Sequence, residues 1–332
     1  MGIPGLAFLV LCSASTLPQE VVVAQLGDSS LGIMQLKKQF EKANPGHQIS
    51  WSARCVDFQV EQSTVAFVQT GAGTVSINKT QSEFSVGDLY CLAEGEQIQF
   101  QPAAGILFFT LPEPFSKSPP TIIRPDWDEN ITDMPGGCAT EGDAYRRILL
   151  TWQEKNGPYL SHQINAHRVR IHDSFTHYHP QVGGFDEFYL VQEAPPGARL
   201  IVSENLDSIL YPEELTAKQI PTLLREIPLK VNQLIYLPRG TIHRGLGGAV
   251  VQVITTPGFI PGAEIGVDKN LAAINKQFGL KGSREIPVHL GPHFVQVTKQ
   301  KSGSIEVRIG GKPFTTQRFD RRIPDLWPLR NA

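Results

Sequence analysis

Cysteine and net charge are both scarce in this sequence, and their scarcity excludes several classes of protein. Four of the 332 residues are cysteine. They are widely spaced and form no CxxC pair, so neither a disulfide framework nor a cysteine zinc site is predicted. The formal net charge of -2 gives no electrostatic basis for binding nucleic acid or an anionic membrane. A nucleotide loop is also lacking, because no helix pattern follows Gly71-Ala72-Gly73.

Long hydrophobic runs are lacking as well, so no membrane-spanning helix is predicted. The first residues, MGIPGLAFLVLCSAS, are apolar and end in small side chains, as a secretory signal peptide does. They are too few for a membrane span, which needs about 20 apolar residues. We interpret residues 1–16 as a signal peptide, which predicts a secreted or periplasmic protein. No Lys or Arg precedes the apolar run, and the alternative is the N-terminal segment of a cytoplasmic protein.

Glycine and proline, by contrast, are abundant. The chain has 30 glycines and 25 prolines, and they punctuate many short β-like runs such as TVAFVQT and GDLYCLA. This pattern favours an all-β fold with a few short helices. A length of 332 residues fits roughly two domains of 100 to 200 residues each.

The stretch HYHPQVGGFDEF carries the first group of candidate metal ligands. His177 and His179 lie two residues apart, so on an extended strand both side chains point to the same face. A turn rich in glycine follows, and Glu187 lies on the strand that returns beside the first. Asp186 has the opposite parity and is expected to face away. We therefore choose Glu187 as the ligand, with Asp186 as the alternative.

A second motif, YLPRGTIHRG, supplies His243 just after the turn at Pro238 and Gly240. Together the two motifs resemble those of the cupin family, in which HxH and Glu are followed by PxGxxH. The spacing from His179 to Glu187 is longer than usual for the family, and Asn232 replaces the glycine that usually opens the second motif. The resemblance implies a β-barrel of the jelly-roll type.

The resemblance also implies a ligand set and a metal. It assigns one divalent metal ion to His177, His179, Glu187 and His243. Iron, manganese, nickel and zinc all suit three imidazoles and one carboxylate.

The N-terminal half resembles a second cupin repeat that has lost its metal. Laying GDLYCLAEGEQI over NQLIYLPRGTIH without a gap places Gly95 on Gly240 and Ile98 on His243. We therefore predict a bicupin in which only the C-terminal barrel binds metal. The predicted divisions of the chain are a signal peptide at 1–16, a helical arm at 17–50, a degenerate barrel at 51–111, a linker at 112–144, a metal-binding barrel at 145–262 and a C-terminal helix and hairpin at 263–332.

Three further residues are candidates for the substrate pocket. Tyr189 lies two residues after Glu187 and should share its face, and His167 has the parity of His177. Gln252 is the polar interruption in the apolar run AVVQVI, where a buried amide must find a partner. No catalytic acid or base besides these residues is identified from the sequence.

The resemblance implies a metal-dependent enzyme that acts on a small polar substrate such as an organic acid, a sugar or an aromatic acid. Similar bicupins include dioxygenases, decarboxylases, isomerases and lyases, and the ligand set places dioxygenase chemistry slightly ahead of isomerase or lyase chemistry. The alternative is a noncatalytic bicupin, stabilised by its metal, that binds a small ligand or serves a structural role. The C-terminal extension is expected either to cover the barrels or to form a homodimer.

Overall fold

The computed structural model describes residues 20–27, 31–117, 119–139, 144–289, 291, 295–299, 303–309, 312–318 and 325–326. The signal peptide predicted at 1–16 lies outside these ranges. Antiparallel strands dominate the described chain, with a few short helices at the periphery, which confirms the predicted all-β class. Within the described ranges, no helix is both long and apolar enough to cross a membrane.

The first barrel follows a short N-terminal arm. The arm consists of β1 (Val22–Gln25) and α1 (Leu31–Ala43). The strands of the barrel are β2 (Gln48–Gln59), β3 (Thr64–Thr70), β4 (Gly73–Ile77), β5 (Thr80–Phe84), β6 (Leu89–Leu92), β7 (Gln97–Thr110) and β8 (Ile122–Ile123). They form one seven-stranded sheet in the order β5-β4-β7-β3-β6-β8, with β2 also paired to β7.

Apolar side chains fill the interior of this first barrel. Alternate residues of its strands point inward and pack into one cluster that includes Val75, Tyr90 and Phe108. Ile98 belongs to this cluster and is fully buried. The position that holds a histidine in the other repeat is therefore part of an apolar core here.

The second barrel contains ten strands, one of which is β1 from the arm. The others are β9 (Arg146–Leu150), β10 (Asn165–Asp173), β11 (His177–Tyr178), β12 (Asp186–Glu193), β13 (Arg199–Ser203), β14 (Arg225–Pro228), β15 (Gln233–Leu237), β16 (Ile242–Thr256) and β17 (Ile265–Gly266). The main path is β1-β15-β12-β16-β10-β9. Strands β11 and β13 both pair with the first half of β16.

The turns of the two repeats have matching backbone conformations. Gly95 and Gly240, which the sequence alignment superposes, have φ angles of 85° and 91°. Gly87 and Asn232 open the aligned segments with φ angles of 102° and 65°. Asn tolerates this left-handed conformation better than most residues, which explains how Asn232 replaces the usual glycine.

Aromatic residues form a core between the barrels. Phe109 of the first barrel lies edge-on to Phe188 of the second, with 5.2 Å between ring centroids. Phe40 from α1 contacts both rings at 5.9 and 5.0 Å, a spacing typical of favourable aromatic pairs. The arm therefore packs against both barrels.

Two reciprocal hydrogen bonds also join the barrels. The amide Nε2 of Gln69 donates to the carbonyl oxygen of Val191 at 2.7 Å, and Nε2 of Gln252 donates to that of Gly87 at 2.7 Å. Both amides are buried. A backbone carbonyl oxygen of each barrel therefore receives its hydrogen bond from a side chain of the other barrel, as buried polar groups require a partner.

Two helices and a small sheet complete the described chain. They are α2 (Leu206–Leu210), α3 (Asp268–Gln277), β18 (Val295–Lys299), β19 (Ile305–Ile309), β20 (Lys312–Arg318) and β21 (Asp325–Leu326). Helices α2 and α3 share an apolar cluster with Ile242 and Tyr178, outside the second barrel. The domain boundaries and the homodimer remain predictions.

A buried carboxylate in the first barrel makes stability depend on pH. Oδ2 of Asp88 accepts the backbone N–H of Ser85 at 2.8 Å and lies 3.5 Å from Nε of Arg124. Burial raises the pKa of Asp88 to about 6; Ser85, Arg124 and Arg168 act in the opposite direction, and Asp126 adds to the rise. Because the pKa of Asp88 is higher in the folded chain than in the unfolded chain, its contribution to the free energy of unfolding is fully present below pH 3.8, the ordinary pKa. That contribution is lost as the pH rises through 6.

We expect Asp88→Asn to gain stability relative to the wild type as the pH rises, because the amide carries no charge to desolvate. Between pH 5 and pH 8 the difference in unfolding free energy should move by about 1 kcal/mol in favour of the variant. Urea unfolding at both pH values measures it. A difference that does not change with pH would contradict the prediction.

Candidate metal centre

The three predicted histidines meet at one end of the second barrel. His177 on β11 is the direct cross-strand partner of His243 on β16, so their side chains project together from neighbouring strands. His179 follows β11 and reaches the same point. All three residues are buried, and their ring centroids are 4.2 to 5.3 Å apart.

The rings present their Nε2 atoms to a common space. One nitrogen from each histidine lies within 4.8 Å of the other two, and each Nε2 is buried without a hydrogen-bond partner in the described chain. The Nδ1 atoms of His177 and His243 instead lie 3.0 and 3.2 Å from the carbonyl oxygens of Phe175 and Thr241. Because a carbonyl only accepts, Nδ1 carries the proton and the Nε2 lone pair remains free.

Burial keeps these imidazoles neutral at physiological pH. It lowers the pKa of His177 to about 3 and that of His243 to about 4, since a charged ring would lose its hydration. The pKa of His179 also falls well below its ordinary value, mainly through burial and further through the other two histidines. Three neutral nitrogen donors are therefore available without prior loss of a proton.

Glu187 adds an oxygen donor to the group. Its Oε1 lies 3.2 Å from Nε2 of His243, and its Oε2 lies 3.7 Å from Nε2 of His179. Burial raises the pKa of Glu187 to about 7, and the nearby His177 acts in the opposite direction. The two carboxyl oxygens of Glu187 therefore lie beside the Nε2 atoms of two of the three histidines.

Asp186, the alternative ligand, faces away from the histidines. Its side chain accepts hydrogen bonds from Arg239, Tyr236 and Asn44 on the opposite side of β12. The alternation of faces along a strand separates it from its neighbour Glu187.

A cavity of about 240 Å³ leads to Glu187 through the second barrel. Its wall includes a row of three residues across neighbouring strands, because Thr255 pairs with Glu187 on one side and with Asn165 on the other. The polar residues of the lining are Arg146, Thr151, Asn156, Asn165, His167, Glu187, Thr255 and Glu264. The cavity is smaller than the roughly 300 to 1,000 Å³ of pockets for drug-sized ligands, so it suits a small molecule.

Two of the three pocket candidates lie in this barrel interior. His167 lines the cavity, and burial lowers its pKa well below the ordinary value, so its ring is neutral. Tyr189 is fully buried near Glu187 and Cys138, with its ring centroid 6.4 Å from that of His243.

Gln252 lies elsewhere, and its choice as a pocket residue is corrected by the structure. Val251 and Val253 belong to the interior cluster of the barrel, so the residue between them faces out. Its Oε1 accepts from Gln192, and its Nε2 donates to Gly87 of the first barrel. Its buried amide does find the partners that the sequence analysis required, but at the contact between barrels.

Sequence reasoning missed two charged residues that line the cavity. Oε1 of Glu264 lies 3.9 Å from Nε2 of His177, although Glu264 comes from the irregular segment before β17. Arg146 opens β9, and its NH1 donates to the carbonyl oxygen of Met134 at 3.0 Å. Neither residue lies in a motif, and no strand periodicity in the sequence singles either of them out.

The two missed residues have contrasting electrostatic surroundings. Burial, together with the nearby Glu187, raises the pKa of Glu264 to about 7, and Arg146 partly offsets the rise. Nε of Arg146 is buried and has no hydrogen-bond partner in the part of the chain that the structure describes. The cavity thus combines an unsatisfied cationic donor with a carboxyl group that titrates near neutrality.

No family model matches this chain, and no curated protein matches it. Among solved structures, it is similar to the Lactobacillus farciminis oxalate decarboxylase formate complex, with 12% identity, a TM-score of 0.41 and coverage of 72% of this chain and 86% of that one. A Bacillus subtilis oxalate decarboxylase with Mn(II) centres has 12% identity, a TM-score of 0.42 and coverage of 79% and 80%. AerE from Microcystis aeruginosa has 10% identity, a TM-score of 0.39 and coverage of 63% and 86%.

The strand order and the positions of the motifs distinguish the two barrels. Each barrel is built from one antiparallel sheet, and the turns that the sequence alignment superposes share one conformation. Among the described residues, the histidine group lies in the second barrel, and an apolar cluster occupies the first. The described chain is therefore all-β, with two barrels and with the histidine group in the second.

Proposed function

We propose that the second barrel binds one divalent metal ion through His177, His179, His243 and Glu187. The observation that carries this proposal is the convergence of one nitrogen from each of the three histidines within 4.8 Å, together with three buried Nε2 atoms that have no hydrogen-bond partner in the described ranges. A buried polar atom without a partner costs about 1 to 3 kcal/mol, and three lone pairs that face one another add repulsion. A shared cation removes both penalties.

The donor set fits iron, manganese, nickel or zinc. Three imidazoles and one carboxylate leave two positions on an ion that prefers six ligands. When bound there, such an ion polarises an oxygen of the substrate and lowers the pKa of coordinated water.

Replacing either His177 or His243 by alanine should remove the metal from the purified protein, because the ion loses one nitrogen donor and the three that remain no longer surround it. We expect metal content to fall from about one ion per chain to below roughly a tenth, as measured by inductively coupled plasma mass spectrometry after purification without chelators.

His172→Ala is the matched control, because His172 lies exposed on β10 of the same barrel. It should retain the metal. Full metal content in both His177→Ala and His243→Ala would refute the site.

We further propose that the substrate is a small organic acid. Among the described residues that line the cavity, Arg146 carries the permanent positive charge, and its Nε is buried without a partner. A guanidinium binds a carboxylate through two parallel hydrogen bonds. A carboxylate held by Arg146 would also pair the Nε donor, which otherwise loses its hydration without compensation.

The position of Glu264 favours catalysis over binding alone. It is a carboxyl group next to the proposed ligands, and its side chain is 26% exposed, so a proton can pass between it and solvent. A carboxyl group in this position can hold a proton or accept one during the reaction. A substrate anchored by Arg146 would therefore lie within reach of a proton donor.

The resulting function is a metal-dependent enzyme that acts on a small organic acid by acid–base chemistry, as in an isomerase or a lyase. Dioxygenase chemistry, which was placed first from the sequence, remains a prediction, because no feature of the cavity selects oxygen over an acid substrate. The alternative is a noncatalytic protein, stabilised by its metal, that binds a small ligand or serves a structural role; the presence of Arg146 and Glu264 in the cavity that reaches Glu187 supports the enzyme.

Arg146→Met should weaken the use of acid substrates. Losing a charge-assisted hydrogen bond worth about 1.5 to 3 kcal/mol should lower kcat/KM by roughly 10- to 150-fold, mostly through KM. The assay is a panel of small mono- and dicarboxylic acids with their neutral amides. Arg170→Met, which changes an arginine at the surface of β10, is the control, and an unchanged kcat/KM for every acid in Arg146→Met would reject the role of Arg146.

Glu264→Gln should lower kcat by roughly 10²- to 10⁴-fold and leave metal content and KM nearly unchanged. Steady-state kinetics and metal analysis of the same preparations measure both effects. Loss of the metal would make Glu264 a ligand instead, and an unchanged kcat would remove it from the chemistry.

Oxygen dependence separates the two reaction classes. Turnover by the wild type should continue without oxygen. Turnover that requires both iron and stoichiometric oxygen uptake would establish the dioxygenase. Tight binding of an acid without turnover under any of these conditions would establish the noncatalytic alternative.

A further inference from the structure

Asp186 is the centre of a buried hydrogen-bond network behind the proposed metal ligands. Its Oδ1 accepts from both the backbone N–H and the Nε of Arg239, each at 2.9 Å. Its Oδ2 accepts from the hydroxyl group of Tyr236 at 2.9 Å and from Nδ2 of Asn44 at 2.5 Å. The residue is fully buried, so these four donors replace its hydration.

The network fixes the turn that precedes His243. Arg239 lies at the centre of this turn, where the N–H of Thr241 donates to the carbonyl oxygen of Pro238 at 3.0 Å. The next residue, Gly240, donates its N–H to the carbonyl oxygen of His179 at 2.6 Å. The turn is therefore held by Asp186 on one side and by a proposed ligand on the other.

All four proposed ligands are connected through this turn. Asp186 is the neighbour of Glu187 on β12, and the turn leads into β16, where His243 pairs with His177. A shift of the turn would move His243 relative to Glu187, whose Oε1 is 3.2 Å from its Nε2. Because metal bonds tolerate only about ±0.2 Å, small shifts in this turn change the fit to an ion.

The network also reaches the N-terminal arm. Asn44 follows α1 directly, and its Oδ1 accepts from NH2 of Arg239 at 2.5 Å. Its Nδ2 also donates to the carbonyl oxygen of Phe40 at 3.2 Å, and Phe40 packs against Phe109 of the first barrel. Asn44 thus links the turn to an element anchored on the other barrel.

We propose that Asp186 is a positioning residue for the metal centre, and that Asn44 from the N-terminal arm completes its action. The inference rests on the proposed metal site. Asp186 does not contact the ion; it holds the turn between Pro238 and Thr241 so that His243 and Glu187 meet one point. Outer partners of this kind change metal affinity by roughly 10- to 100-fold when they are removed.

The test uses Co²⁺ as the probe, because its visible absorption reports the number and geometry of its ligands. The full-length apoprotein is titrated with Co²⁺ for the wild type, Asp186→Asn, Asn44→Ala and Arg239→Lys. Asp88→Asn is the matched control, since it changes a buried, hydrogen-bonded aspartate of the metal-less barrel. Thermal unfolding of each apoprotein is recorded alongside.

We expect Asp186→Asn to raise the Kd for Co²⁺ by roughly 10- to 100-fold and to alter the absorption spectrum. Asn44→Ala and Arg239→Lys should also raise the Kd and alter the spectrum, but by less. Each of these variants leaves the backbone N–H of Arg239 paired with Asp186. Asp88→Asn should leave both unchanged.

An Asp186→Asn protein that is less stable but has the wild-type Kd and spectrum would overturn the inference. If that variant does not fold, wild-type Kd values and spectra in both Asn44→Ala and Arg239→Lys would overturn it instead. Failure of the wild type to bind Co²⁺ would reject the metal site itself, a result distinct from either of these.

Discussion

The alternation of side chains along β12 and β16 is the constraint on which both the site and the contact between barrels depend. On β12, Glu187 faces the histidines, and Asp186 faces the turn that carries Arg239. On β16, Val253 packs inside the barrel, and Gln252 reaches the first barrel. A slip of one residue in either strand would exchange these roles, because side chains on a strand alternate with a period of two.

This alternation explains how much the sequence could predict. Local spacing was sufficient to place His177, His179 and Glu187 on one side of a barrel and to turn Asp186 away. It was also sufficient to distinguish the repeats, since Ile98 lies in an apolar core. These features depend on residues close together in the sequence, where the backbone period alone decides direction.

The remaining features depend on contacts between distant segments. Gln252 was misplaced because its polarity, rather than its parity relative to Val251, guided the choice. Glu264 and Arg146 reach the cavity from an irregular segment and from the start of an edge strand, positions that no hydrophobic pattern marks. Their roles arise only when β9, β16 and the segment before β17 surround one space.

The hydrogen bonds that Gln69 and Gln252 make between the barrels oppose separation of the barrels during unfolding. If the barrels separated, the carbonyl oxygens of Val191 and Gly87 would lose their amide partners, and Phe109 and Phe188 would be exposed together. Partial opening is therefore costly on both polar and apolar grounds. The two halves should melt in a single cooperative transition, and the first barrel then contributes its share of rigidity to the one that carries the histidines.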